Sequence, residues 1–122
     1  MSQPKMLVEK EVRFESAHLL PYYDGPCKNL HGHSYRLVIQ VQGEVDPRSG
    51  IIIDFYELHR AVKAEVLDQL DHKYLNDFME NPTAEHIALF IWRRLKPALP
   101  GLVELRLYET TDSCIVFRGD GA

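Results

Sequence analysis

Seven residues, Cys27-Lys28-Asn29-Leu30-His31-Gly32-His33, put a thiol four positions ahead of an H-x-H pair. On a β-strand alternate side chains share a face, so His31 and His33 would project together. Two imidazoles do not complete a metal site, because a catalytic zinc generally takes three protein ligands and keeps a fourth position open. His18, at the end of an earlier strand-like run, is the third candidate. An all-imidazole set suits zinc, and the same ligands accept iron, copper or nickel. A lone strand histidine is more often an inert, hydrogen-bonded core residue. Three on converging strand ends favour a metal. Cys27 could be a small buried hydrophobe, but Pro26, Lys28 and Asn29 place it in a loop. Beside a metal its thiolate can be a fourth ligand, a nucleophile or a general base.

Two further places offer acid–base chemistry. Asp71-His72 pairs a carboxylate with an imidazole, which together can fix a tautomer and pass a proton. Neighbours in sequence need not touch, and such a pair after a helix is commonly solvated. Glu109 continues the parity of the apolar residues Val103, Leu105 and Leu107. A carboxylate on a buried face needs a partner. It either reaches water at the strand end or anchors a ligand that offers two adjacent N–H donors. His59 and His86 have no ligand-like neighbours and read as surface or helix-packing residues. There is no phosphate-cradling glycine loop and no dinucleotide fingerprint.

The elements that must position these groups follow from periodicity. Residues 7–18 alternate, with Val8, Val12, Phe14, Ser16 and His18 on one parity. A second strand runs from His31 to about Gln42, with His33, Tyr35, Leu37, Ile39 and Val41 on one face. A modest loop joins the two, so an antiparallel pair is the simple topology, and it brings His18 beside His31 and His33. Asp46-Pro47-Arg48-Ser49-Gly50 is a turn, Ile51-Ile52-Ile53 a short apolar run, and Asp54 an N-cap. Phe55, Leu58, Val62, Val66 and Leu70 predict an amphipathic helix over 55–70. Residues 71–77 read as a polar loop. Asn81 or Thr83 caps a second helix carrying Ile87, Ala88, Ile91 and Leu95, which ends at Pro97 and Pro100-Gly101. Residues 102–109 and 114–118 are the last strands. The order ββααββ predicts an α+β domain spanning 1–122, a four-stranded antiparallel sheet with two helices on one face. Its uncovered face and edges predict joining of sheets between copies.

The 122 residues are 45% hydrophobic and 26% charged, ordinary for a globular chain, and the net charge of −4 argues against a nucleic-acid partner. No apolar run approaches the roughly 18 residues of a membrane span. Met1-Ser2-Gln3-Pro4-Lys5-Met6 lacks the apolar stretch of a signal peptide, so a cytoplasmic protein with free thiols at Cys27 and Cys114 is expected.

Phe14-Glu15-Ser16-Ala17-His18, Cys27-x-x-x-His31-Gly32-His33, Leu70-Asp71-His72-x-Tyr74-Leu75-Asn76, Asn81-Pro82-Thr83-x-Glu85 and Glu109-Thr110 together resemble the 6-pyruvoyl-tetrahydropterin synthase superfamily, in order along nearly the whole chain. The three-residue gap between Cys27 and His31 is similar to its bacterial 6-carboxy-5,6,7,8-tetrahydropterin synthase branch, which serves queuosine biosynthesis. The resemblance implies the tunnelling fold, with sheets joined into a barrel in a homohexamer of two trimers and active sites between subunits. It implies a carbon–carbon lyase that converts 7,8-dihydroneopterin triphosphate to 6-carboxy-tetrahydropterin, acetaldehyde and triphosphate by retro-aldol chemistry. It also implies zinc on His18, His31 and His33 as a Lewis acid, Cys27 as base, and Asp71 and His72 as a proton relay. Glu109 would grip the pterin, with Thr83 a further contact, and Lys28, Arg36 or Arg118 would meet the triphosphate. The neighbouring outcome is a 6-pyruvoyl-tetrahydropterin synthase that eliminates triphosphate without cleaving the side chain. A more distant one is a non-catalytic zinc module with Cys27 as fourth ligand.

Overall fold

The computed structural model describes residues 3–122; Met1 and Ser2, at the head of the N-terminal stretch read above, lie outside them. Two long strands dominate. β1 (Lys5–His18) and β2 (His31–Glu44) pair antiparallel over their full length, from Lys5 opposite Glu44 to His18 opposite His31. The period-two pattern explains their faces. Val12, Phe14, Ser16 and His18 are buried, and so are Tyr35, Leu37, Ile39 and Val41 from β2. β4 (Leu102–Tyr108) adds to β2 and β5 (Cys114–Phe117) to β4, both antiparallel.

The sheet has five strands, not the four expected. The segment read as a polar loop contributes β3 (Lys73–Tyr74), which pairs parallel to β1 at Ser16 and Ala17, giving the order β3-β1-β2-β4-β5. Two residues are too few to display a period, so periodicity had no hold on this strand. A second departure lies in β4. Val103 reads as core-facing, but pairing shifts between Gln40 and Val41, and a bulge gives the buried place to Leu102.

The helices cover one face. Asp54 caps α1 (Phe55–Val62), its carboxylate accepting the Tyr56 N–H at 2.9 Å. The predicted single helix over 55–70 continues through a π turn, Lys63–Leu67, into a last turn, α2 (Asp68–Leu70). The reason is in the spacing. Leu58, Val62, Val66 and Leu70 are all fully buried. Steps of four residues drift about 40° each around a regular α-helix, and one wider turn returns the stripe to the core. α3 (Ala84–Ala98) is capped by Thr83, whose hydroxyl accepts the His86 N–H at 3.1 Å, which decides between Asn81 and Thr83. The helix runs through Pro97 instead of ending there. In the last turn the proline forfeits only one bond, and Lys96 Nζ gathers the carbonyls of Pro100 and Leu102 at 2.7 and 2.9 Å. Ile87, Ala88, Ile91 and Leu95 close the core against Leu102, Leu105 and Leu107.

The opposite sheet face is polar. Arg36 pairs with Glu11 at 3.0 Å and lies 3.8 Å over the Tyr108 ring, while Arg106 and Arg118 both meet the buried Glu104 carboxylate, at 3.2 and 3.1 Å. Among the described residues no helix is long and apolar enough to cross a membrane.

The turn between α3 and β4 brings backbone against backbone. Gly101 O accepts the Gln42 N–H at 2.8 Å, and a Cβ at Gly101 would collide with the Gln42 carbonyl. Gly101→Ala is expected to destabilise the fold by about 1–3 kcal/mol, measured by urea unfolding.

Candidate metal centre and active site

The full-length pairing of β1 with β2 carries three imidazoles to one end of the sheet, on the core side. Their ring centroids are 4.4 Å (His18–His31), 4.8 Å (His31–His33) and 5.1 Å (His18–His33) apart, with the rings edge-on. One nitrogen from each lies within 4.8 Å of the others. Backbone carbonyls fix two of the tautomers. His18 Nδ1 is 2.8 Å from Pro82 O and His31 Nδ1 is 2.7 Å from Asn29 O. A carbonyl only accepts, so each Nδ1 carries the proton and each Nε2 presents a lone pair. The Nε2 atoms of His18, His31 and His33 are all buried without a hydrogen-bond partner. Three buried imidazole nitrogens without partners, two of them fixed as acceptors, are costly unless a cation joins them. The residues therefore fit a metal ion of the imidazole-preferring kind.

Burial lowers the His18 pKa most; the Pro82 carbonyl and Glu109 act in the opposite direction, and His31 lowers it further. His33 is lowered by burial too, partly offset by Glu109, whose carboxylate lies 3.5 Å from His33 Nε2. Glu109, Thr110 and Cys114 line a recess of 170 Å³ beside Ala84 at the start of α3. The carboxylate read from parity as needing a partner thus stands next to the imidazole cluster.

Cys27 occupies a short turn, Pro26–Lys28, in the β1–β2 loop, which the Leu20 N–H fastens to Cys27 O at 2.8 Å. Its thiol is half-buried and free, and the group able to hold a metal does not include it. Asp71 and His72 do touch, with Nδ1 3.1 Å from Oδ2. They lie at the outer edge of β1. Asp71 Oδ1 accepts the Glu15 N–H at 2.9 Å, and the His72 N–H donates to Glu15 O at 2.6 Å. These bonds, the Glu15 amide first and His72 after it, hold the Asp71 carboxyl below its usual range. The His72 backbone has φ 58°, a left-handed conformation uncommon outside glycine, and its side chain is 80% exposed. His72 and His33 both line one open recess of 550 Å³ with Glu15, Ser34, Lys73 and Tyr74.

Thr83 is occupied as the cap of α3, one residue after the carbonyl that orients His18. His86 Nδ1 meets Asn81 O at 2.7 Å on the exposed surface, and His59 is exposed on α1, so neither joins the cluster. The carbonyls of Pro82 and Asn29 carry no signal in side-chain type or spacing. Tyr35 was legible only as core. Its ring lies 5.5 Å from that of His33 and its hydroxyl 3.4 Å from His18 Nδ1, under the cluster, and burial pushes that hydroxyl well above its ordinary pKa.

Folded His18 and His33 bind protons less readily than their unfolded forms, so metal-free protein should be most stable above the ordinary value of 6.5 and lose stability as pH falls through 6.5 towards the depressed values. Melting temperatures of chelator-treated protein between about pH 7.5 and 5.5 check this sign, and His18→Gln should flatten the profile.

A family model for 6-pyruvoyl tetrahydropterin synthase matches residues 7–120. The chain is 39% identical over 114 residues to a 6-carboxy-5,6,7,8-tetrahydropterin synthase from Synechocystis, covering 88% of each. It is 40% identical over 93 residues to a dihydroneopterin monophosphate aldolase from Pyrococcus furiosus, covering 76% of this chain and 77% of that one. The solved structure of the Caenorhabditis elegans 6-pyruvoyl tetrahydropterin synthase superposes with a TM-score of 0.89 at 28% identity, over 98% of this chain and 99% of that one. With the family model running along almost its entire length, the chain belongs to the 6-pyruvoyl tetrahydropterin synthase family.

Proposed function

We propose that this chain, acting as one domain, is a zinc-dependent 6-carboxy-5,6,7,8-tetrahydropterin synthase of queuosine biosynthesis. It would convert 7,8-dihydroneopterin triphosphate to 6-carboxy-tetrahydropterin, acetaldehyde and triphosphate. The observation that carries the reading is the convergence of three buried, unpartnered Nε2 atoms beside Glu109. Likeness to the Synechocystis synthase supports the choice of product.

His18, His31 and His33 would hold the ion, which when bound supplies Lewis-acid polarisation of the substrate's side-chain oxygens. The remaining work falls to the chain's own groups. Glu109, in its recess, accepts the paired N–H donors of the pterin edge and so orients the ring. Thr83, whose hydroxyl caps α3 one residue before Ala84 in the recess wall, is a further contact. Cys27, half-buried in its loop and outside the metal group, takes a proton from the side chain as general base. Asp71, kept ionised by its bonds, holds His72 through Nδ1 and leaves Nε2 to give or take a proton. Arg36 and Arg118 are engaged by Glu11 and Glu104, which leaves Lys28, next to Cys27, as the candidate for the triphosphate.

The protein is taken to be cytoplasmic and to assemble as a homohexamer of two trimers whose sites lie between subunits. Supporting this, β1 pairs on its outer side only at Ser16 and Ala17 among the described residues, which leaves most of a 14-residue strand edge open.

Incubation of zinc-loaded protein with 7,8-dihydroneopterin triphosphate should release acetaldehyde in step with a carboxy-pterin, followed by mass spectrometry. A pyruvoyl-pterin without acetaldehyde would move the chain to the eliminating branch. Cys27→Ala should keep one zinc per chain and lose turnover by roughly 100-fold or more. His31→Ala should lose both. Loss of zinc with Cys27→Ala, together with no pterin binding, would replace the enzyme by a closed metal module.

A further inference from the structure

The Asp71–His72 pair sits on a segment that has little claim to a fixed position. Residues 71–77 are polar apart from Tyr74 and the buried Leu75, β3 has two residues, and a parallel two-residue bridge is weak. His72 also holds a left-handed backbone, which persists only where surrounding contacts over-determine it. Those contacts form a run along the end of β1. At one end Glu15 is bonded in both directions, its N–H to Asp71 Oδ1 and its carbonyl from the His72 N–H. Ser16 Oγ donates to Leu70 O, and Ser16 and Ala17 pair with Lys73 and Tyr74.

The other end is closed by Asn76. The Leu19 N–H donates to Asn76 Oδ1 at 3.0 Å, and Asn76 Nδ2 donates to Leu19 O at 3.0 Å. The β1–β2 ladder stops at His18 opposite His31, and the β1–β3 ladder stops at Ala17 opposite Tyr74. Leu19 therefore has no rung on either side, and one carboxamide takes both of its backbone groups. No other side chain type of this length offers a donor and an acceptor together in that geometry.

We propose that Asn76 is a positioning residue: by standing in for the next rung of the ladder at Leu19, it registers the Asp71–His72 pair on the edge of β1. It touches neither member of the pair and acts through the segment it clamps. Leu70 and Leu75, fully buried on either side of the pair, keep the segment attached when the clamp is removed, so the loss is of register and not of fold. The catalytic part of this inference rests on the pterin-synthase reading above. The coupling between Asn76 and His72 does not.

The test is a pair of variants, Asn76→Ala and the isosteric Asn76→Asp, which loses the donor, compared with the intact zinc-loaded protein. Backbone amide exchange at His72 should quicken by roughly tenfold or more in both, and at Leu19 in Asn76→Ala, which removes the acceptor of its N–H, with the amides of Leu37 and Ile39 unchanged. Turnover should fall by roughly 10- to 100-fold in kcat, with KM within about twofold and zinc content intact. In a His72→Ala background, Asn76→Ala should cost nothing further, because it acts through His72. Unchanged exchange at His72, a loss that is additive in the double variant, or a loss of zinc would each overturn the proposal. If the intact protein fails to turn over the pterin, the functional reading falls, and the exchange measurement still decides whether Asn76 sets His72.

Discussion

The register of β1 against β2 is the constraint on which the rest depends. With His18 opposite His31, Ser16 falls opposite His33, and three imidazoles share one face. A slip of one residue would turn His18 and Phe14 to the polar side and carry Glu15 into the core. That slip is blocked along the whole length of the pair, because Val12, Phe14, Tyr35, Leu37 and Ile39 are all buried on the same side as the histidines. The apolar core and the candidate metal centre are thus specified by one alternation. Each added core residue on these strands also sharpens the placement of the ligands.

The cluster is held at a second level by groups outside the two strands. The Pro82 carbonyl reaches His18 from the entry to α3, and the Asn29 carbonyl reaches His31 from its own loop. Thr83, by capping α3, holds the turn that contains Pro82. Folding the helix onto the sheet therefore selects the tautomer of a ligand on β1. This couples packing to chemistry: the Nε2 atoms of His18 and His31 are left bare because the opposite nitrogens of those two rings are already committed.

What was legible in the chain, and what was not, follows the same division. A strict period of two over 14 residues is a strong signal, so His18, His31 and His33 could be brought together from spacing alone. Glu109 was legible as a carboxylate out of place on an apolar parity, and it stands 3.5 Å from His33. Asp71-His72 was legible as a carboxylate–imidazole pair, but adjacency in sequence says nothing about side-chain contact, and the resemblance was what raised it to a proton relay. β3 was hidden because two residues show no period, and the β4 bulge because an inserted residue leaves the composition of the strand unaltered. The π turn, in contrast, was written in the spacing: four apolar residues at steps of four do not suit an unbroken α-helix, and the helix reading overlooked that mismatch. Carbonyl partners such as Pro82 O belong to any residue type and leave no trace in a sequence.

The edge of β1 shows how a sheet can carry two kinds of chemistry without mixing them. The buried face of residues 14–18 ends in the His18 imidazole, whose protonation is disfavoured by burial. The edge of the same stretch, one residue away at Glu15, uses its backbone N–H to keep Asp71 ionised next to an exposed imidazole. A metal-binding group needs dehydration and bare lone pairs, whereas a proton-exchanging pair needs solvent access and a fixed tautomer. Alternation of side chains puts the first on the face. The ladder's free backbone groups put the second on the edge. Because both are read from the same few residues of β1, a change in its last turn of pleat moves the two sites together, and their separation is a property of the strand and not of any loop between them.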